Sequence, residues 1–131
     1  MKQNLELKLH LSEESYPAML TDKDRLFQIL CAFMDNAIQH SKNNSLIEIE
    51  VIATEKNIAF SVADHGQGIS DEDKQYIFDR FYSGDKSHTN KSNFGLGLSI
   101  AKELTQMLNG AITINDTAGG GATFTVKFPL K

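Results

Sequence analysis

Leu5, Leu7, Leu9 and Leu11 alternate with Glu6, Lys8 and His10, a period of two that predicts a half-buried strand with one wet face. Residues 16–20 read as a short extended return. The period then changes. Leu26, Ile29, Leu30, Phe33 and Ala37 fall on one face of a helix that Thr21 or Asp22 caps and that runs to about Ser41. At about 100° per residue, Ala32, Asn36 and Gln39 form a neighbouring stripe, with His40 between it and the core face. That stripe is polar where a packed flank would carry carbon. Ile47, Ile49 and Val51 alternate with Glu48 and Glu50, and a turn over 54–57 returns the chain as a hairpin into the strand Ile58 to Ala63. Ser70-Asp71-Glu72-Asp73 has the form of a capping box and predicts a short helix carrying Ile77, Phe78 and Phe81 inward. From Tyr82 to Asn93 the only apolar side chain is Tyr82, which predicts a mobile loop. Leu98, Ala101, Leu104 and Leu108 resume helical spacing until Asn109-Gly110, and Ala111 to Asn115 with Thr123 to Phe128 predict a final hairpin around Asp116 to Gly121.

With 131 residues, 40% of them apolar, the chain predicts one domain able to bury about two thirds of its unfolded surface. A net charge of -4, with Lys and Arg scattered, argues against nucleic acid as a partner. Cys31 is the only cysteine, which excludes an internal disulfide and fits a reducing cytoplasm. No run approaches the ~18 apolar residues of a membrane span, so no membrane contact is expected of this domain. Met1 lies so close to the first strand that the chain reads as part of a longer protein, which leaves room for a membrane anchor elsewhere.

The candidate chemistry begins where the third strand runs out, at Asp64-His65-Gly66-Gln67-Gly68. A carboxylate there can accept a hydrogen bond from an exocyclic amine, and the two spaced glycines suit the approach of a flat ligand such as adenine. Other readings of the motif fail on spacing. A calcium loop would need a bidentate carboxylate at Gln75, a dinucleotide fingerprint a glycine at Asp71, and no phosphate loop ending in Gly-Lys-Ser/Thr is present. Further on, a polar loop delivers Gly95-Leu96-Gly97-Leu98 onto a helix N-terminus, where free amides and the helix dipole suit phosphate. Asn36 offers an amide oxygen that could complete such a site through Mg²⁺, which favours few protein oxygens plus phosphates and water.

In order, residues 35–41, Asp64 to Gly68, residues 77–82, residues 95–100 and Gly121-Ala122-Thr123-Phe124 resemble five boxes of one family. These are the N, first glycine, phenylalanine, second glycine and third glycine boxes of the catalytic ATP-binding domain of sensor histidine kinases. The resemblance covers roughly residues 20 to 129. It implies an α+β fold of the Bergerat type, a two-layer α/β sandwich with about three helices on one mixed, mainly antiparallel sheet. It also implies ATP and Mg²⁺ as cofactors. By the same resemblance Asp64 reads the adenine amine, Thr123 assists through water, and Gly66, Gly68 and Ile69 line the base. Asn36 holds Mg²⁺, His40 packs near the nucleoside, and Gly95, Leu96, Gly97 and Leu98 cradle phosphate. Phe78 and Phe81 anchor the lid, with Arg80 near the phosphates or bracing the fold.

The chain departs from the family in three places. Ala32 stands where relatives carry Asn, or Glu in hydrolytic members, so a base for water is missing. Gln39 replaces a common Lys, and Asn93-Phe94 replaces a common Gly-Thr. None of His10, His40, His65 and His88 sits in a helical pattern resembling the family's phosphoacceptor segment. No catalytic nucleophile is therefore expected in this chain. The expected activity is that of a histidine protein kinase, with two partners: a dimerisation and phosphoacceptor domain of the same protein, and a response regulator. Alternatives are a serine kinase that inhibits a sigma factor, and a module that senses ATP and transfers nothing; a hydrolytic clamp ATPase is disfavoured by Ala32.

Overall fold

The computed structural model describes residues 5–11, 22–42, 44–79 and 94–130. The strands are β1 (Glu6–Leu11), β2 (Leu46–Ala53), β3 (Asn57–Ala63), β4 (Ala111–Asp116) and β5 (Ala122–Pro129), and the helices are α1 (Lys23–His40), α2 (Asp71–Lys74) and α3 (Phe94–Met107). They form a two-layer α+β sandwich. The five-stranded sheet runs β1-β2-β3-β5-β4, with β1 parallel to β2 and every other pair antiparallel. The sheet is thus mixed and mainly antiparallel, as the resemblance implied.

Local chemistry sets the element boundaries. Asp22 caps α1 by accepting from the amides of Asp24 and Arg25 at 3.0 and 3.2 Å, and Ser41 closes its other end. Thr54 Oγ1 accepts from Asn57 N at 3.1 Å and fixes the β2–β3 turn. Ser70 Oγ accepts from Asp73 N at 3.1 Å, so the cap before α2 is where the capping-box pattern put it. The regular helix nonetheless ends at Lys74, and Ile77 and Phe78 turn inward from the non-helical residues that follow.

One face of the sheet meets the helices. Ile29, Phe33 and Ala37 of α1 and Leu98 and Ala101 of α3 are buried with Ile47, Val62, Phe124, Val126 and Phe128. Phe33 lies 5.4 Å from Phe124, centroid to centroid, which joins α1 to the sheet beneath it. The opposite face is polar, and Ser61 meets Thr125 there at 2.9 Å.

One strand differs from expectation. The leucines of β1 share a face with their register partners Ile47, Ile49 and Val51, but Leu7, Leu9 and Leu11 are more than half exposed. Alternation assigned the face correctly. It could not show that β1 is the sheet's edge strand, where α1, packed on α3 and β3, gives those leucines little cover. The extended return over 16–20 and the loop over 82–93 lie outside the described residues.

The β4–β5 connection is built from backbone that side chains rarely adopt. Gly119, Gly120 and Gly121 have φ of 86°, 121° and 113°. A Cβ on Gly121 would overlap the Asp64 carbonyl oxygen, while Asp64 N donates to Ala122 O at 3.0 Å. The glycine therefore lets the start of β5 close onto the end of β3. Gly121→Ala should destabilise the fold by about 2 to 4 kcal/mol, through a strained φ and a backbone clash together. Urea unfolding followed by circular dichroism measures it, and a midpoint equal to that of the unmodified chain would contradict this packing.

Candidate functional site

Asp64 stands one residue past β3 on the helix-covered side of the sheet and is 2% exposed. A carboxyl group so deeply placed must be hydrogen-bonded to be tolerated. Its Oδ1 accepts from Gly66 N at 3.0 Å and from Ala122 N at 3.2 Å. Both bonds fall on one oxygen, so among the described residues Oδ2 remains for an incoming donor.

The glycines of this turn have a role beyond the one the sequence suggested. A Cβ on Gly66 would overlap the carbonyl oxygen of His40, so Gly66 also packs against the last turn of α1. Gly68 has φ of 80° and faces the Gly121 carbonyl. Together they bring the end of α1, the turn after β3 and the start of β5 into backbone contact. Ile69 packs on the core beside them.

Asn36 lies on the stripe of α1 that the helical count marked as polar, and the fold buries it to 8% exposure. Its Oδ1 is buried and has no hydrogen-bond partner among the described residues. An orphaned amide oxygen of this kind costs about 1 to 3 kcal/mol and calls for an explanation. A cation is a sufficient one. Gln39 on the same stripe is exposed, and Ala32 packs against the core and brings no carboxylate.

Gly95, Leu96 and Gly97 lie in the first turn of α3, with Leu98 buried directly behind them. Among the described residues a Cβ on Gly97 would meet nothing within 4 Å, and its φ is not in the left-handed region. Neither packing nor backbone conformation therefore requires glycine here. Open space at a helix N-terminus is what an anion needs. Phe78 lies across from this helix, edge-on to Phe124 at 6.1 Å, with Lys102 Nζ 5.9 Å from its ring centroid. Arg80 and Phe81 lie outside the described residues.

Thr123 is placed differently from expectation. Along β5, Ala122, Phe124, Val126 and Phe128 are buried on the helix side, so alternation turns Thr123 to the open face. Its hydroxyl bonds Thr117 Oγ1 at 2.9 Å, across the sheet from Asp64. The neighbour of Asp64 on its own face is Ala122, through its backbone amide. Sequence reasoning did not single out Ala122 for this role, although the glycine run before it and the period of two in β5 both point to it.

The described residues thus bring the Asp64 turn against the last turn of α1, one turn beyond the orphaned Asn36 oxygen, and pack α3 on α1. Among them no helix is long and apolar enough to cross a membrane.

Comparisons with known proteins identify the family. The sensor protein CiaH of Streptococcus pneumoniae is 40% identical over 114 residues, which is 86% of this chain and 26% of CiaH. The signal transduction histidine-protein kinase ArlS of Staphylococcus haemolyticus is 37% identical over 124 residues, 94% of this chain and 27% of ArlS. The chain thus spans about a quarter of the length of these relatives. Among solved structures, full-length ShkA in complex with AMPPNP superposes with a TM-score of 0.81 at 29% identity, over 96% of this chain and 26% of that one. Residues 21–131 match the family described as Histidine kinase-, DNA gyrase B-, and HSP90-like ATPase, and the chain belongs to that family.

Proposed function

We propose that this chain is the ATP-binding catalytic part of a cytoplasmic sensor histidine kinase module. It holds Mg-ATP and presents the γ-phosphoryl group to a histidine on a separate dimerisation domain, for relay to an aspartate of a response regulator. The observation that carries this reading is the buried Asp64, with one oxygen held by two backbone amides and the other free to accept from an exocyclic amine. The named relatives support it, since one is a sensor protein, another a histidine-protein kinase, and ShkA was solved with AMPPNP. No observation favours the sigma-factor serine kinase over this reading.

In this mechanism the protein positions and shields, and the acceptor histidine supplies the nucleophile. Asp64 reads the base, and Ile69 and the last turn of α1 with His40 border it. The amides at the start of α3, at Gly95, Leu96 and Gly97, face the phosphates with the positive end of the helix dipole. Phe78 supports that wall through Phe124, and Leu98 anchors it from behind. Asn36 Oδ1 is the atom that would hold Mg²⁺, and a single neutral oxygen suits an ion whose remaining ligands are phosphate and water. When bound, the ion neutralises charge on the phosphates. One turn before Asn36, Ala32 supplies no base to activate water, so ATP should persist until a histidine arrives. Arg80 and Phe81 keep their proposed roles beside the phosphates and in the lid on the resemblance alone.

Three outcomes check this. Asp64→Asn places an amide against the adenine amine and loses a charge-assisted bond of about 1.5 to 3 kcal/mol. ATP affinity in calorimetry should fall roughly ten- to hundredfold, and an unchanged value would remove Asp64 from the site. Gly97→Ala removes a helix glycine that nothing among the described residues requires. The empty protein should become more stable by about 0.5 to 1 kcal/mol while nucleotide binds more weakly; weaker binding without the gain in stability would point to a disturbed helix instead. Finally, labelled ATP with this chain alone should give slow hydrolysis and no self-phosphorylation. Adding a cognate histidine-bearing dimerisation domain should give an acid-labile phosphohistidine, whereas acid-stable phosphoserine on a partner would indicate the other kinase class.

A further inference from the structure

On the open face of the sheet, away from the nucleotide site, Glu48 joins two imidazoles. His10 Nε2 of β1 lies 3.0 Å from Glu48 Oε2, and His65 Nε2, from the turn after β3, lies 2.9 Å from Glu48 Oε1. Three elements meet on one carboxylate. His65 directly follows Asp64 and precedes Gly66, whose amide donates to the Asp64 carboxyl group. The side chain that grips Glu48 on one face and the side chain that would read adenine on the other are thus attached to adjacent peptide units.

We propose that Glu48 is a positioning residue for the nucleotide site: by holding His65 on the open face it fixes the peptides that aim Asp64 into the helix-side face, with a grip that strengthens when the imidazoles are protonated. This rests on the ATP-binding reading above. A neutral ring nitrogen donating to a carboxylate makes an ordinary hydrogen bond, whereas an imidazolium adds opposite charge at the same distance. The surroundings allow the change. Lys8 and Glu6 of β1 and Glu50 of β2 share this face; Lys8 is the register partner of Glu48, and Glu50 that of His10. On β3 the neighbours Ala63 and Ser61 are uncharged, and β5 places Thr123 and Thr125 nearest, with Lys127 at its far end. The hydrogen bond with His65, and then that with His10, holds the Glu48 carboxyl below its ordinary range. It therefore remains a carboxylate at mildly acidic pH. The clamp is tight at mildly acidic pH and loosens as pH rises.

Calorimetry with Mg-ATP at about pH 6 and about pH 8 tests this when the unmodified chain is compared with Glu48→Gln. The nucleotide's own titration is common to both proteins and cancels. Affinity at the lower pH, relative to the higher, should be roughly two- to fivefold greater in the unmodified chain than in Glu48→Gln, the range of a partly exposed ion pair. His65→Gln should reproduce the flattened profile, which guards against a folding defect peculiar to one variant. In the empty protein, the amide signals of Gly66 and Gly68 in nuclear magnetic resonance should follow titration of the His65 ring and cease to follow it in Glu48→Gln. Parallel pH profiles in the two proteins would overturn the clamp while leaving the nucleotide site standing. Absence of ATP binding by the unmodified chain at either pH would overturn the site assignment, and with it the role given to Glu48.

Discussion

A carboxyl group at the bottom of a protein layer is costly, and the way Asp64 is satisfied organises its surroundings. Its Oδ1 takes the amides of Gly66 and Ala122, which come from two different strands' ends. For both amides to reach one oxygen, the turn after β3 must curl back on itself and the start of β5 must lie flush against it. Side chains would prevent either approach. Gly66 is bare where it meets the His40 carbonyl, and Gly121 is bare where it meets the Asp64 carbonyl. The site is therefore a knot of backbone, and the last turn of α1 is tied into it. Because α1 is fixed there, Asn36, one turn earlier, is held in position too.

Much of this was legible in the sequence, and the rest failed for identifiable reasons. Periodicity found the strands and the two long helices because one face of each element is buried against the other layer. The polar stripe on α1 marked Asn36 before any contact was known, since an amide among core positions is a local inconsistency. Periodicity could not distinguish a face from a covered face, so β1 read as half-buried although its leucines stand at the sheet's edge. Thr123 was assigned through a motif, which places a residue in a neighbourhood but does not say to which side of a strand it points. Counting back in twos from Phe128 through Val126 and Phe124 reaches Ala122 and excludes Thr123 from the Asp64 side. The spacing marks the glycines for ligand access. Their packing against distant carbonyls depends on which segments the fold brings together, and no local pattern carries that. The Glu48 clamp was illegible for the same reason, as it joins residues 10, 48 and 65.

The same region also gathers features that local rules disfavour. Asn36 buries an oxygen with no partner among the described residues, at about 1 to 3 kcal/mol. Gly97 weakens a helix that would accept alanine, at about 1 kcal/mol. Asp64 sinks a carboxyl group of which one oxygen takes both hydrogen bonds from the described residues. Each is a small loss, yet together they reach a few kcal/mol, a sizeable share of the roughly 5 to 15 kcal/mol that holds a domain folded.

Such losses persist where the missing partner arrives from outside. On the ATP reading, the adenine amine, the metal and the phosphates satisfy the Asp64, Asn36 and Gly97 positions respectively, so the energy withheld from the empty fold reappears as affinity. Nucleotide that binds the folded chain alone would then stabilise it in proportion to the logarithm of its excess over the dissociation constant. This also accounts for the placement of the defects. They lie at the end of β3, on one flank of α1 and in the first turn of α3, where the packed core of Phe33, Phe124 and Val126 ends and a ligand, rather than another side chain, can complete the layer.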